Sequence, residues 1–192
     1  MEIGLFFGSF NPIHIGHLII ASYAVNNSEL HQIWFIVSPQ NPLKPSHTLL
    51  NEYHRLHLAR LATEDDPQIK VSDAEFKLPR PSYTIDTLTY LQEKYRQHTF
   101  SIVLGSDSMQ NLPHWKNYEQ LLHNYSFIVY KRPGFEIPTL NAKGALSVIV
   151  LQAPFLDISA TEIRRLIREG KSIRYVVPDK VREEIERSGY FK

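Results

Sequence analysis

Ile3-Gly4-Leu5-Phe6-Phe7-Gly8-Ser9-Phe10-Asn11-Pro12-Ile13-His14-Ile15-Gly16-His17 runs from an apolar stretch through a turn into the helical spacing Leu18, Ala21, Val25. That is strand, loop, helix, with nothing polar in the strand to mark a solvent face. The same kind of short apolar run recurs at Ile33 to Val37, Phe100 to Leu104, Phe127 to Tyr130 and Val148 to Leu151, each ending near Gly, Pro or Ser, with a weaker one at Ile69 to Val71. Runs without alternation read as strands buried on both faces, the mark of a parallel sheet. Helical spacings lie between them: Leu49, Tyr53, Leu56, Ala59, then Ile85, Leu88, Leu91, Tyr95. Alternation of this kind predicts an α/β fold, a doubly wound, mostly parallel, Rossmann-like sheet. Two C-terminal helices are expected, Thr161 to Arg168 stopped by Gly170, and Pro178 to Arg187 stopped by Gly189, with Pro178 in the first turn. No linker divides the chain, so residues 1–192 are expected to form one domain, with 159–192 its C-terminal helical part.

Composition narrows the partners. The 192 residues are 43% hydrophobic and 21% charged, ordinary globular values, and 21 bases against 20 acids leave +1. Without a basic excess, no nucleic-acid partner is expected. The chain has no cysteine, which excludes a disulfide framework, a thiolate zinc site and a cysteine nucleophile. Met1 to Phe7 lack a basic n-region, and no apolar stretch reaches the ~18 residues of a membrane span. A soluble, cytoplasmic protein with no membrane partner is expected. The oligomeric state is left open, a homo-oligomer included.

In open α/β sheets, ligands bind beyond the carboxyl ends of the strands. The first loop there carries Gly8, Ser9 and Phe10, and Gly8 would let backbone approach a ligand. Gly16 and His17 open a helix whose N-H groups and dipole favour an anion, with His14 and His17 converging on it. The string is neither a Walker loop nor a dinucleotide fingerprint. Alone, two histidines at this spacing read first as surface residues of a strand-helix turn, and a zinc site would need a third ligand. At the far end, Asp157-Ile158-Ser159-Ala160-Thr161-Glu162-Ile163-Arg164-Arg165 reads as helix initiation: Ser159 and Glu162 form a capping box, Ile158 and Ile163 a hydrophobic staple. Arg164 and Arg165 stand outside that reading, because cations near a helix start are unfavourable unless an anion is shared.

Together the two strings resemble the signatures of the nucleotidyltransferase superfamily that carries the His-x-Gly-His motif. The resemblance implies that His14 and His17 bind ATP phosphates and stabilise charge at the α-phosphate. It implies Gly8, Ser9 and Phe10 as the loop under the nucleotide, and Ser159, Thr161 and Arg164 as holders of the β and γ phosphates. Phe7 replaces the usual first glycine, and Asn11 stands where aspartate is commoner.

Three middle segments bear on the acceptor. Ser82-Tyr83-Thr84-Ile85-Asp86-Thr87-Leu88 reads as a capped helix start, or as a second anion site. Leu104-Gly105-Ser106-Asp107 follows a strand and leads to Trp115, which reads as a packing residue or as a face for a cationic ring. Lys131-Arg132-Pro133-Gly134 ends another strand as a solvated turn or an anion contact. These segments, with Tyr175-Val176-Val177-Pro178, resemble the nicotinate-nucleotide adenylyltransferase family from Ile3 to the carboxyl terminus. The family's Pro-Pro-His-Lys loop is reduced to Asn41-Pro42-Leu43-Lys44. The resemblance implies ATP and nicotinate mononucleotide as substrates and their joining in NAD synthesis. It places Tyr83 and Thr84 at the acceptor carboxylate, Trp115 on the pyridine, Lys44 and Arg132 on the mononucleotide, and Gly105 and Asp107 at the adenosine. Mg2+ is expected on the phosphates, with no protein ligand to a metal. The rival readings are a sibling transferase with another acceptor, a nucleotide sensor without turnover, and a metal-dependent hydrolase using some of the nine histidines.

Overall fold

Each apolar run becomes a strand. The computed structural model describes residues 1–40, 49–137, 147–154 and 157–192. The strands are β1 (Glu2–Gly8), β2 (Gln32–Val37), β3 (Ile69–Ser72), β4 (Thr99–Gly105), β5 (Ser126–Tyr130) and β6 (Val148–Leu151). The helices are α1 (Ile15–Asn26), α2 (Glu52–Thr63), α3 (Thr84–Lys94), α4 (Ser106–Gln110), α5 (Tyr118–Asn124), α6 (Ala160–Arg168) and α7 (Asp179–Ser188), with 3-10 turns at Ala74–Lys77 and Leu112–His114. The sheet order is β3-β2-β1-β4-β5-β6 and every pairing is parallel. This is the doubly wound order whose direction of winding reverses between β1 and β4.

Alternate residues of the central strands feed two cores. Phe6, Phe35, Val103 and Ile128 pack toward Ala21, Leu58, Ile163 and Val181, the side of α1, α2, α6 and α7. Leu5, Ile36, Ile102 and Phe127 pack toward Leu88, Leu91 and Leu121, the side of α3 and α5. Strands covered on both faces need no polar alternation, which is why they read as continuous apolar runs. Among the described residues, no helix is long and apolar enough to cross a membrane.

Three expectations are corrected. β6 is not buried on both faces: Val148, Ile149 and Val150 are 36%, 41% and 41% exposed, because the strand is the sheet's edge. In α2 the expected apolar stripe is rotated, with Tyr53 64% exposed while Arg55, Leu56, Leu58 and Ala59 turn inward. Pro178 is the N-cap of α7, one position before the first turn. Helices α4 and α5 went unread because five and seven residues give too few turns for a period to show.

Candidate active site

The carboxyl ends of β1 and β4 open into a cavity of about 1150 Å³. Gly8, Ser9, Phe10, Asn11, His14 and His17 line it from the first loop, Ser159, Thr161 and Arg164 from the last, and Tyr83, Thr84, Gly105, Asp107, Trp115 and Arg132 from the middle segments. Lys44 lies outside the described residues.

The first loop is held from behind. Phe10 is buried, its backbone left-handed at φ 45°, and its ring meets Phe35 at 5.1 Å and the edge of His17 at 5.0 Å. The ring belongs to the core, while the residue also lines the cavity. Gly8 is explained by the same ring: a Cβ there would stand 2.8 Å from Phe10 Cζ. Asn11 ties the loop on two sides, its Oδ1 accepting from the Leu50 N-H at 3.0 Å and its carbonyl from Arg164 Nη1 at 2.7 Å. Arg55, unread in the sequence, is fully buried in α2 and donates to backbone carbonyls of Leu50 (2.8 Å), Ser38 (2.8 Å), Pro39 (3.1 Å) and Ser9. One cation thus joins the ends of β1 and β2 to the start of α2, and burial pulls its pKa down to about 10, where it stays charged at neutral pH.

The two histidines stack with ring centroids 3.7 Å apart. His14 is the N-cap of α1 and His17 follows one turn on. Burial, with Arg132 adding to it, pushes the His14 pKa down to about 4, so the ring is neutral at pH 7. The His14 backbone N-H donates to His17 Nδ1 at 3.2 Å. An Nδ1 that accepts leaves the proton of a neutral ring on Nε2. The helix start itself is shared, since the Ile15 N-H donates to the Val176 carbonyl at 3.0 Å. Gly16 makes the stacking possible, as a Cβ there would come within 3.0 Å of His14 Nδ1.

At the last loop, Ser159 caps α6 by accepting from the Glu162 N-H at 3.2 Å. The reciprocal half of a capping box is not made, because both Glu162 oxygens accept from Arg165. Arg165 also pairs with Glu169 at 2.6 Å, which corrects its reading as an uncompensated cation. Arg164 differs: Nη1 reaches the Asn11 carbonyl, and Nη2 lies 3.3 Å from Thr161 Oγ1, with no carboxylate on either bond. The guanidinium therefore bridges two loops 153 residues apart in sequence and keeps its full charge toward the cavity. Arg164→Ala is expected to lower kcat/KM for ATP by more than about 10-fold, the scale of one lost hydrogen bond to a charged group. Because that bridge is lost, the variant gains no helix stability. Unchanged kcat/KM for ATP would exclude Arg164 from the phosphates.

In the middle segments, α3 starts at the N-cap Tyr83 with no side chain capping it. Asp86 in its first turn is bound by Lys116 Nζ at 2.9 and 2.8 Å, and that ammonium lies 5.0 Å from the Tyr83 ring. The bond fastens the segment carrying Trp115 to the start of α3. Trp115 both packs against the apolar core and lines the cavity. Gly105 is crowded by its own chain: a Cβ would stand 2.4 Å from Asp107 Oδ1 and 3.0 Å from Tyr130 Cζ. Asp107 and Arg132 form an ion pair at 2.8 Å, although the sequence reading assigned them to different substrates. Among the described residues, no three His, Asp or Glu side chains converge as a metal site.

Two imidazoles and a bridging arginine thus meet at the switch point of a parallel sheet. Residues 5–166 match the cytidylyltransferase-like family, to which the chain belongs. Within it the chain belongs with the nicotinate-nucleotide adenylyltransferases. A relative from Flavobacterium psychrophilum, described as a "probable nicotinate-nucleotide adenylyltransferase", is 47% identical over 192 residues and all of both chains. One of the same description from Bacteroides thetaiotaomicron is 41% identical over 186 residues, 96% of this chain and 91% of its own. Among solved structures, the Plasmodium falciparum nicotinic acid mononucleotide adenylyltransferase complexed with NaAD has a TM-score of 0.82 at 22% identity, covering 99% of this chain and 97% of that one. At that identity the likeness concerns the fold.

Proposed function

We propose that the chain transfers the adenylyl group of ATP to nicotinate mononucleotide, giving nicotinate adenine dinucleotide and pyrophosphate, as a step of NAD synthesis in the cytoplasm. The observation that carries this reading is the meeting of His14, His17 and Arg164, from opposite ends of the chain, at one cavity. A phosphate oxygen of the mononucleotide attacks the α-phosphorus of ATP in line. The bond from that phosphorus to the β-phosphate bridging oxygen breaks, and its electron pair leaves with pyrophosphate. The nucleophile is already ionised at neutral pH, so no general base and no covalent intermediate are needed, and catalysis rests on position and electrostatics.

His14 and His17 donate to the α-phosphate, while Arg164, Ser159 and Thr161 hold the β and γ phosphates. The backbone of Gly8, Ser9 and Phe10 flanks the nucleotide. Tyr83 and Thr84 present the α3 start to the acceptor carboxylate, Trp115 faces the pyridinium, and Arg132 and Lys44 serve the mononucleotide phosphate. Gly105 and Asp107 lie on the adenosine side, and Asp107 meets ribose only by sharing its oxygens with Arg132. Mg2+ carried in with ATP would offset phosphate charge, and no side chain of the chain is assigned to hold it.

Incubating the protein with ATP, Mg2+ and each mononucleotide, then identifying products by mass, tests the reading. Nicotinate adenine dinucleotide with one pyrophosphate per turnover is expected. ATP binding without any dinucleotide would make the chain a sensor, and a product from another acceptor would make it a sibling transferase.

A further inference from the structure

Beneath the acceptor side of the cavity lies a carboxyl group that the proposed reaction does not use. Glu75, in the 3-10 turn after β3, is only 2% exposed. Its Oε2 accepts from Ser82 Oγ at 2.6 Å, and its Oε1 lies 3.1 Å from Thr87 Oγ1. The Ser38 hydroxyl also hydrogen-bonds the carboxyl group. Ser82 precedes α3 and Thr87 lies in its first turn, so one side chain grips the helix start on both sides of Tyr83 and Thr84.

We propose that Glu75 is a positioning residue which fixes the start of α3 and thereby sets the choice of acceptor; this rests on the acceptor reading given above. The Ser82 and Thr87 hydroxyls each bond one of its carboxyl oxygens, one from either side of Tyr83 and Thr84. The Tyr83 carbonyl already accepts from the backbone N-H groups of Asp86 and Thr87, at 3.0 and 3.1 Å, so the Thr87 hydroxyl hydrogen is left for Glu75. Burial raises the carboxyl pKa, and the hydroxyl bonds act against that by favouring the ionised form.

The experiment compares Glu75→Gln with Glu75→Ala, measuring KM for ATP, for nicotinate mononucleotide and for its amide counterpart. Glutamine keeps an acceptor oxygen for one of the two hydroxyls, whereas alanine removes both contacts. Glu75→Ala is expected to raise KM for nicotinate mononucleotide by about 10-fold or more, the scale of leaving a buried hydrogen-bonding group unpaired. Its preference for the acid over the amide falls by the same factor, with KM for ATP in place, and Glu75→Gln recovers part of both losses. A glutamine variant as impaired as the alanine one would overturn hydrogen bonding by Glu75 as the cause. Equal changes in both KM values, or an alanine variant with intact preference, would overturn acceptor positioning. If the alanine chain does not fold, Thr87→Val removes one of the two bonds and carries the same expectation. Wild-type protein that forms no dinucleotide from nicotinate mononucleotide would instead overturn the underlying reading, which separates the two failures.

Discussion

His17→Ala lowers kcat by about 100-fold or more, the usual scale for one preorganised donor aimed at developing charge. The bond from the His14 N-H fixes the His17 ring as the Nε2-H tautomer before substrate arrives, so no reorientation is paid for in the transition state. His17 is stacked 3.7 Å from a His14 ring that burial holds neutral, so the two imidazoles do not form a doubly charged pair. Single-turnover chemistry should fall together with kcat, while KM for ATP moves less. A change confined to KM would assign His17 to ground-state binding. The His14 ring offers a companion measurement. Its pKa of about 4 without nucleotide should rise when a polyphosphate fills the cavity, since added negative charge favours the imidazolium. NMR titration of that imidazole with and without ATP reads the shift directly.

The fold was largely legible because its signal is local. The strands that carry Leu5, Ile36 and Ile102 are covered on both faces of the sheet, and each run announces its strand without reference to any other. What local pattern could not give was the phase of α2 and the edge position of β6. Tyr53 is large and apolar and falls at the right spacing, yet Arg55 displaces it from the buried face because four carbonyls wait there. The available signal was a charged residue three and four positions before Leu58 and Ala59, on their face of the helix.

The site divides in the same way. Its two motifs could be read because their glycines, histidines and hydroxyls lie in single strings. The groups that hold those strings in place could not, since Arg55 reaches back 46 residues to Ser9 and Glu75 reaches forward to Ser82 and Thr87. Glycine proved an ambiguous sign. Gly8 makes room for the buried Phe10 ring, and a Cβ at Gly105 would meet Asp107 and Tyr130, so each glycine answers to the protein's own packing before any ligand enters. The pairing of Asp107 with Arg132 was equally invisible, because the two sit 25 residues apart on neighbouring strand ends.

Nicotinate mononucleotide is expected to be used with a kcat/KM at least about 100-fold above that of nicotinamide mononucleotide, equivalent to about 2.7 kcal/mol. The two acceptors differ in one group, a carboxylate against a neutral amide. At the start of α3 no side chain caps the helix, and Asp86, the nearby acid, is already neutralised by Lys116. A carboxylate placed against those N-H groups gains charge-assisted bonds and a favourable helix dipole. An amide can offer its carbonyl, but its N-H groups then face other donors, and each buried mismatch costs about 1–3 kcal/mol. Trp115 cannot supply the discrimination, because the pyridinium charge it would face is common to both substrates. Measuring kcat/KM for both under matched ATP and Mg2+ is the test, with Trp115→Ala beside the wild type. The wild type should show the full preference, and Trp115→Ala should lose activity on both acceptors while keeping the ratio. Near-equal values in the wild type would remove the carboxylate from the helix start even if adenylyl transfer itself were observed.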